Sequence, residues 1–296
     1  MIDVALVTQT DYLQIENPDD YHQNILTEDS LLSTALEKMG LSVVRVGWDD
    51  PSFDWTSTRL AVIRGTWDYF HRIDEYRAWL SLVARQTILL NTYDTVNWNL
   101  DKHYLLDCHR QGINIPETHV YEVGEKRALE ELFKLSGWER AVLKPCVSGA
   151  ARHTYVLDRQ NVREKNSLFQ NLVSSEAMML QRFQPSVMEQ GEWTLVMIAG
   201  KYTHAVLKKV KPGDFRVQDD FGGTVHEYEP TKEEIAFAEK TMSLVEPIPV
   251  YGRVDIIRDI YGNLALQELE LIEPELWFRN CPEAADQLAR AIARKR

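Results

Sequence analysis

Two predicted strands near the end of the chain limit the fold more than any other stretch. Residues 251–258 and 264–274 are both rich in branched apolar side chains, and Tyr261, Gly262 and Asn263 between them are typical of a turn. Side chains two positions apart on a strand share a face, roughly 6.6–7 Å from each other. The pattern therefore predicts an antiparallel hairpin whose two faces differ in chemistry.

One face of this predicted hairpin gathers three carboxylates. Glu268 and Glu270 share a face of the second strand, and Arg253 and Asp255 share a face of the first. A turn at residues 260–263 would pair Asp255 with Glu268. Because like charges placed opposite each other destabilise a sheet, a buried cluster of this kind requires a cation. Hard oxygen ligands suit Mg²⁺ shared with phosphates, and we favour a metal site over the alternative, a solvated acidic strand face.

The first ninety residues alternate between predicted strands and predicted helices. The strands are predicted at residues 4–8, 42–46, 59–64 and 87–90, and the helices at residues 30–40 and 76–84. Such alternation is typical of a parallel α/β sheet, in which ligands gather where the strands end.

A polar segment follows the third predicted strand and is our candidate for binding a small substrate. Its members are Arg64, Thr66, Trp67, Asp68 and Tyr69. An arginine beside a threonine and aromatic rings could clamp a carboxylate. A packed loop that contains an Arg–Asp pair is an equally good interpretation of these residues alone.

Basic residues at several places could bind phosphates. Lys102 lies at the start of a predicted helix, where the helix dipole does not favour a cation, so its position suggests an anionic ligand. Lys144 ends a buried strand, and Arg152 lies in the loop of small residues that follows, which would let the backbone approach phosphates. Lys209, at the end of a second predicted hairpin, and Arg216, in a glycine-flanked loop, could reach a triphosphate, although a surface loop is the alternative.

Composition and motifs exclude several classes of protein. The 296 residues carry a net charge of −12, which disfavours a nucleic-acid or anionic-membrane surface. The three cysteines form no CxxC pair and the eight histidines no HExxH, so neither a disulfide framework nor a zinc site is expected. GxxxxGK[ST], GxGxxG and GxSxG motifs are also absent. The first residues read as a strand and not as a signal peptide, and we expect a cytoplasmic protein.

The order of these motifs resembles the ATP-grasp superfamily. Within it the chain is most similar to the glutathione-synthetase and ribosomal-protein glutamate ligase branch, and to a bacterial group that includes D-cycloserine ligase. The resemblance runs from about residue 91 to residue 274 and rests on the following stretches: Asp101-Lys102, Leu143-Lys144-Pro145, Gly191-Glu192-Trp193-Thr194, Gly213-Asp214-Phe215-Arg216 with Gly222-Gly223, Arg253-Val254-Asp255 and Glu268-Leu269-Glu270.

The fold that the resemblance implies is α/β, of the α+β ATP-grasp class. An N-terminal parallel α/β pre-ATP-grasp domain for the substrate would span residues 1–113. Two α+β subdomains would sandwich ATP, the smaller over residues 114–184 and the C-terminal one, with the metal site, over residues 185–296.

The resemblance also implies roles for matching residues. Asp255, Glu268 and Glu270 would carry Mg²⁺, with two ions expected and Mn²⁺ as a possible substitute. Near the γ-phosphate and the reacting carboxylate the expected residues are Lys209, Arg216 and Arg253. The expected nucleotide-binding residues are Lys102, Lys144 and Arg152 for the phosphates, Gln181 and the backbone of Arg182 and Phe183 for the adenine, and Glu192 for the ribose.

Three positions depart from the pattern of many relatives. Glu270 stands where many have an asparagine, and Gln181 stands where many have an acidic residue, although a glutamine carbonyl can still accept from the adenine amino group. The loop at residues 148–151 holds fewer glycines than is usual, which weakens its assignment as a phosphate lid.

The function implied is that of an ATP-dependent carboxylate–amine ligase. A small amino-acid-like carboxylate would become an acylphosphate, and an amine-type nucleophile would then displace phosphate, so that ADP and phosphate are released. One alternative is an intramolecular cyclising ligase of the D-cycloserine ligase type. The other is a catalytically silent ATP-binding regulatory protein. A homodimer is also possible, with neither nucleic acid nor membrane as a partner.

Overall fold

The computed structural model describes residues 1–211 and 223–296, in which the strands form three separate sheets. The first sheet is parallel, with the strand order β2-β1-β3-β4. This confirms the predicted parallel α/β arrangement. Its strands are β1 (Ile2–Thr8), β2 (Val43–Gly47), β3 (Thr58–Gly65) and β4 (Ile88–Leu90). The helices of this part of the chain are α1 (Asp20–Lys38), α2 (Ile73–Val83) and α3 (Tyr93–Asn99).

Helix α1 begins ten residues before the helix predicted from the sequence. Asp19 caps it by accepting a hydrogen bond of 2.9 Å from the backbone N–H of His22. The early turns are mostly polar, and so they lack the apolar spacing on which the prediction relied. The later turns carry Leu32 and Leu36, both fully buried in a core that also contains Leu288 from the C-terminal helix.

The second sheet is antiparallel, with the strand order β5-β8-β6-β7. Its strands are β5 (Thr118–Tyr121), β6 (Arg140–Pro145), β7 (Tyr155–Asp158) and β8 (Met178–Arg182). The helices in this region are α4 (Tyr104–Arg110), α5 (Leu129–Ser136) and α6 (Asn166–Val173). Leu129, Phe133 and Phe169 from α5 and α6 are buried together with Leu143 and Leu180 of the sheet. Packing these helices on one face leaves the other face to line a cavity.

The third sheet is antiparallel, with the strand order β11-β10-β9-β12-β13. Its strands are β9 (Glu192–Ile198), β10 (Lys201–Lys209), β11 (Thr224–Tyr228), β12 (Tyr251–Arg258) and β13 (Leu264–Glu270). The remaining helices are α7 (Ser186–Glu189), α8 (Lys232–Met242) and α9 (Pro282–Ala293). Asp255 pairs with Glu268 across β12 and β13, as the predicted hairpin requires.

Strand β13 is the edge of this sheet, and side chains from the preceding part of the chain cover its open side. Asn99 donates from Nδ2 to the carbonyl of Leu269 at 2.8 Å and accepts from the N–H of Leu271 at 2.8 Å. The hydroxyl of Tyr104 accepts from the N–H of Leu269 at 3.1 Å. Because these bonds satisfy the edge, β13 is held in place and cannot pair with another chain there.

Asn91 connects the end of the first sheet to β12 and β13. Its Nδ2 donates to the carbonyls of Tyr251 at 2.9 Å and Leu271 at 2.8 Å, and its Oδ1 accepts from the N–H of Val250 at 2.6 Å. The buried hydroxyl of Tyr251 lies 2.8 Å from the carbonyl of Ile63 on β3. The carboxylate hairpin is therefore fixed against the N-terminal sheet by buried polar contacts.

The three sheets lie within residues 2–90, 118–182 and 192–270. We propose domain boundaries near residues 113 and 184, as the sequence suggested. No helix in the described ranges has both the length and the apolar character needed to cross a bilayer.

Candidate active site

A cavity of about 310 Å³ lies where the three sheets meet. Lys144 and Gln181 from the second sheet line one side, and Glu192 from the third sheet lies among the lining residues. The loop after β3 contributes Trp67 and Tyr69. A cavity of this size, lined by residues from all three parts of the fold, is the expected place for a small-molecule site.

Three carboxylates converge at the cavity: Glu268 and Glu270 line it, and Asp255 lies next to them, outside the lining. Oxygen atoms of Asp255, Glu268 and Glu270 all lie within 4.8 Å of one another. Asp255 is 1% exposed, and the two glutamates are half-buried. Carboxylate oxygens at this spacing are the ligands that Mg²⁺ prefers, so the donor set fits that ion.

Two cations lie against Asp255. The Nζ of Lys208 is 2.8 Å from its Oδ2, and the Nη2 of Arg253 is 2.9 Å from the same atom. Arg253 also reaches Glu270, with Nη2 2.6 Å from Oε1. Although burial opposes the charge of Asp255, Arg253 and Lys208 outweigh it and hold the pKa of this carboxyl below its usual range. Burial raises the pKa of Glu270 to about 7, because Arg253 only partly offsets it.

Glu192 and Lys208 form a second buried ion pair at the cavity wall. Lys208 Nζ lies 2.5 Å from Glu192 Oε1, and the two residues are directly opposite each other on β9 and β10. Burial raises the pKa of Glu192 to about 7, with Asp255 adding to the effect. Glu192 thus lines the cavity with Lys208 as its partner, and its ribose contact stays a prediction.

Lys102 and Lys144 lie beside Glu268, the third carboxylate of this cluster. Lys102 Nζ is 2.7 Å from Glu268 Oε1 and donates to the carbonyl of Ser148 at 2.9 Å. Both cations lower the pKa of Glu268 against the effect of burial. Burial and the neighbouring Lys102 lower the pKa of Lys144 to about 8. Lys102 itself lies in the turn between α3 and α4 and not inside a helix as predicted, so the dipole argument does not apply to it.

The adenine-binding residues predicted from the sequence lie at the end of β8. Gln181 is buried, accepts from Lys144 Nζ at 3.3 Å and donates to Thr118 Oγ1 at 3.1 Å. The backbone N–H groups of Arg182 and Phe183 are bonded within the chain, to the carbonyls of Glu117 and Arg140.

Gln184, which the sequence analysis missed, also lines the cavity near these residues. Its Oε1 is buried without a hydrogen-bond partner in the part of the chain described. A free acceptor beside the predicted adenine contacts suits an amino group.

Lys209 does not face the cavity, and Lys208 takes the place we predicted for it. Lys209 is exposed, while Lys208 is 7% exposed and directed at Asp255. A bulge in the β9–β10 pairing, between Tyr202 and His204, decides which of the two adjacent lysines points inward. Arg216 lies outside the described residues.

Arg152 forms a bidentate ion pair with Glu176, at 2.8 Å through both guanidinium nitrogens, and is not among the residues that line the cavity. Because its hydrogen-bonding fork is occupied by this partner, the structure does not support the phosphate contact predicted for it. The small residues of the same loop, Gly149 to Ala151, do line the cavity.

The segment from Arg64 to Tyr69, which covers the end of β3 and the turn after it, contains residues that line the cavity and residues that pack behind it. Trp67 and Tyr69 line it. Arg64 is 4% exposed and donates to the carbonyl of Pro274 at 3.3 Å. The hydroxyl of Thr66 lies 3.2 Å from that of Tyr76. Arg64 and Thr66 are therefore part of the packing and do not form the predicted carboxylate clamp.

Asp68, like Arg64 and Thr66, is bonded within the protein and does not line the cavity. It accepts a hydrogen bond of 2.8 Å from the indole of Trp48 and lies 3.3 Å from Arg72. The predicted substrate contact of Asp68 is replaced by these contacts, since strand β3 ends in a turn that directs its side chain away from the cavity lining.

The cavity has further lining residues that the sequence analysis missed. They are Tyr21, Phe70, Glu273, Glu275 and Trp277. Glu273 and Glu275 follow β13, so the acidic pattern of the predicted hairpin continues beyond its end. This continuation of the acidic pattern could have identified Glu273 and Glu275 from the sequence. Tyr21 is distant in sequence from every motif and gave no such signal.

Comparisons with known proteins agree with this architecture. The family described as D-cycloserine synthetase DcsG, N-terminal domain, matches residues 4–91. The cycloserine biosynthesis protein DcsG of Streptomyces lavendulae is 27% identical over 310 residues, covering 99% of this chain and 98% of that protein. The crystal structure of D-cycloserine synthetase DcsG has a TM-score of 0.85 at 25% identity and covers 99% of both chains.

A more distant structure shares the fold. The ATP-grasp ligase PsnB, complexed with a phosphomimetic variant of a minimal precursor, Mg and ADP, has a TM-score of 0.64 at 13% identity, covering 100% of this chain and 99% of that chain. At this identity the likeness concerns the fold alone. The fold and the two end-to-end likenesses to DcsG together identify the chain as an ATP-dependent carboxylate–amine ligase with the ATP-grasp fold.

Proposed function

We propose that the protein uses ATP and Mg²⁺ to activate the carboxylate of a small amino-acid-like molecule as an acylphosphate, which an amine-type nucleophile then attacks. The observation that carries the proposal is the cluster of Asp255, Glu268 and Glu270, the last two of which line one cavity together with buried lysines and an arginine. Carboxylates for a metal beside cations for phosphates are the parts that phosphoryl transfer requires.

The three carboxylates are the proposed ligands of Mg²⁺, two ions being our expectation, with Mn²⁺ as a possible substitute. Bound there, the ion would neutralise the phosphates and polarise the transferring group. Lys102 and Lys144 are the proposed phosphate contacts, since both are buried and line the cavity. Arg253 lies on the same face as Asp255 and is proposed to stabilise charge at the reacting carboxylate.

The chain needs no covalent nucleophile for this chemistry, and its buried thiols are poorly suited to that role. Burial raises the pKa of Cys108 to about 12 and that of Cys146 to about 12, so both remain protonated at neutral pH. The role of the protein is therefore to position the reactants and to neutralise charge.

A second candidate is a cyclising ligase, in which the carboxylate and the nucleophile belong to one molecule. The observation that favours it is the likeness to D-cycloserine synthetase over 99% of the chain. Requirement for a single substrate, with a cyclic product by mass spectrometry, would select this candidate. Requirement for two substrates would select the intermolecular ligase.

The test is release of ADP with Mg²⁺ across a panel of amino acids and amino-acid derivatives. The double variant Asp255→Asn, Glu268→Gln should lose at least about 100-fold in turnover because the proposed metal ligands are gone. Glu37→Gln, on the exposed end of α1, is the matched control. Full turnover in the double variant would refute the site. Stabilisation by ATP without ADP release on any compound would instead indicate the silent regulatory protein.

A homodimer and a cytoplasmic location complete the proposal. The three cysteines are free, which agrees with a reducing compartment. Light scattering on the purified protein tests the dimer, and fractionation of the source cells tests the location.

A further inference from the structure

Glu273 is a carboxylate in the cavity wall that has no cationic partner among the described residues. It follows β13 and lines the cavity, where it is half-buried. Within residues 1–211 and 223–296, no lysine, arginine or histidine nitrogen lies within the 4.0 Å of an ion pair to its carboxylate. A carboxylate removed from water without a counter-ion is unfavourable, so this position favours the arrival of a cation.

The neighbouring carboxylates all differ from Glu273 in this respect. Glu268 is paired with Lys102 at 2.7 Å, and Glu270 is paired with Arg253 at 2.6 Å. Glu275, two residues further along the chain, is paired with Arg279. Burial raises the pKa of Glu273 to about 8, with Glu270 adding to the effect, which agrees with the lack of a partner. Within the described ranges, Glu268, Glu270 and Glu275 thus each have a cation, and Glu273 has none.

An aromatic wall stands against Glu273. The indole N–H of Trp67 donates to the backbone carbonyl of Glu273 at 2.9 Å, which fixes Trp67 beside it. The ring of Tyr21 lies 6.0 Å from that of Trp67. Tyr69 also lines the cavity, and burial raises the pKa of its hydroxyl, with Glu273 adding to the effect. Aromatic faces attract ammonium groups, and a carboxylate beside them gives a mixed site for such a group.

The other tryptophan that lines the cavity, Trp277, already has a cation over its ring. The guanidinium carbon of Arg253 lies 4.6 Å from the centre of a Trp277 ring. In the described part of the chain, no cation is recorded over Trp67. Of the two tryptophans, Trp277 therefore has a cation over its ring, and Trp67 has none from the described residues.

We propose that Glu273 and Trp67 form a subsite for the ammonium group of the substrate, so that the enzyme acts on carboxylates that also carry a free amine. This inference rests on the proposed function and narrows its substrate class. A molecule whose ammonium group contacts Glu273 extends its other end toward Arg253 and the metal ligands, where its carboxylate is activated. Molecules with an acylated or missing amine would leave Glu273 unpaired and bind less well.

The experiment pairs each amino acid of the ADP-release panel with its N-acetyl derivative. We expect the free amine to exceed its N-acetyl partner by at least about 10-fold in kcat/KM, since it alone makes a charged hydrogen bond. Glu273→Gln should lower kcat/KM for the free amine by about 10- to 100-fold and reduce the preference to less than about 3-fold. Glu37→Gln, an exposed residue outside the cavity, should keep the preference of the unmodified protein.

Two measurements distinguish loss of the ammonium subsite from loss of folding or of nucleotide binding. ATP with Mg²⁺ should raise the Tm of Glu273→Gln as much as that of the unmodified protein, because Glu273 is not a proposed nucleotide contact. Trp67→Phe keeps an aromatic ring and should reduce the preference less than Glu273→Gln. ADP release at equal rates from the free and acetylated compounds, or an unchanged preference in Glu273→Gln, would overturn the subsite. ADP release from no compound would instead overturn the proposed function, and the subsite with it.

Discussion

Lys208 is the residue on which the charge balance of the site most directly depends. Its ammonium group contacts two buried carboxylates, Glu192 at 2.5 Å and Asp255 at 2.8 Å. These contacts raise its pKa above the usual range despite burial, so it stays charged throughout the neutral range. Removal of that charge would leave both acids with less neutralisation in a site of low dielectric.

Replacement of Lys208 by methionine should therefore affect both activity and stability. We expect turnover to fall by about 100- to 1,000-fold, as for other groups that neutralise charge at a reaction centre. Because Asp255 keeps its pair with Arg253, the loss in the free energy of unfolding should stay below the ~3–5 kcal/mol typical of a broken buried ion pair. Steady-state kinetics and urea unfolding measure these effects.

Lys209→Met is the matched control, since the adjacent lysine is exposed. It should change the free energy of unfolding by less than about 0.5 kcal/mol, and turnover by no more than the factor that corresponds to this energy. A strong effect of Lys209→Met together with a weak effect of Lys208→Met would reverse our assignment of the two residues.

His103 gives the site region a dependence on pH. Its Nδ1 lies 2.5 Å from Asp101 Oδ1, and its Nε2 lies 3.1 Å from Glu122 Oε1. Burial alone would lower the pKa of this imidazole, but Asp101 and then Glu122 raise it above 6.5. The resulting stability is fully present below the unfolded-state value and is lost as pH rises through the raised folded-state pKa.

Comparison with His103→Gln isolates this contribution. The unmodified protein should exceed the variant in free energy of unfolding most clearly below pH 6.5, and the difference should shrink as the pH rises above that value. Urea unfolding at a series of pH values measures the difference. A gap that widens with rising pH would contradict the assigned sign.

At the scale of elements, close contact between β12 and β13 depends on Gly252. A Cβ at this position would lie 2.5 Å from Leu271 Cδ2 and 3.1 Å from the carbonyl oxygen of Glu270. Gly252→Ala should therefore push β13 away and displace Glu270 from the other two carboxylates. We expect a loss of about 1–3 kcal/mol in stability, as for other overpacked cores.

Displacement of Glu270 in Gly252→Ala should also weaken the binding of Mg²⁺ at the proposed metal ligands. The Mg²⁺ concentration that gives half-maximal ADP release should rise in Gly252→Ala, while the KM for ATP at saturating Mg²⁺ changes less. Val254→Ala, at a buried position on the same strand, controls for a general loss of stability. An equal rise in the Mg²⁺ requirement of both variants would argue against a specific displacement of Glu270.

The sequence was most informative where periodicity alone decides the geometry. The branched residues and the Gly262 turn predicted the hairpin and the pairing of Asp255 with Glu268, which the structure confirms. The choice between Lys208 and Lys209 required the bulge near Tyr202, and a shift of one residue exchanges the faces of a strand. No pattern in a single sequence reveals where such a bulge lies.

Two other predictions were wrong because the deciding contacts are not visible in local sequence patterns. Arg64 lies close to the C-terminal end of β3, where parallel sheets bind ligands, yet it is buried by contacts with Pro274 and the rings of Tyr251 and Phe278. These partners are about two hundred residues away in the chain. The helix α1 begins early because Asp19 caps a polar first turn, which hydrophobic spacing does not detect.

At the scale of the whole molecule, Asn91 joins the N-terminal sheet to the carboxylate hairpin formed by β12 and β13. Asn91→Ala would leave two carbonyls and one N–H without their buried partners. We expect a loss of roughly 2–4 kcal/mol, since each unsatisfied buried group costs about 1–3 kcal/mol and some relaxation follows. Differential scanning calorimetry measures the loss.

Asn91→Asp sharpens this test. The substitution keeps the size of the side chain but replaces its two N–H donors by an acceptor, which would face the carbonyls of Tyr251 and Leu271. It should destabilise the protein at least as much as Asn91→Ala. A stability equal to that of the unmodified protein would show that this junction does not depend on the hydrogen bonds.

The ion pairs of the carboxylate cluster have a thermodynamic consequence. Lys102, Lys208 and Arg253 serve as internal counter-ions for Glu268, Asp255 and Glu270. In the proposed site the three carboxylates would hold the divalent cation, and Lys102, Lys208 and Arg253 would then be free to contact phosphate oxygens; these side chains, once bound to a polyphosphate, would likewise leave the carboxylates available to the metal. The two ligands should therefore help each other to bind, and by linkage the factor must be the same in both directions. If the proposed site is right, exchange of these ion pairs would couple the binding of magnesium to that of nucleotide.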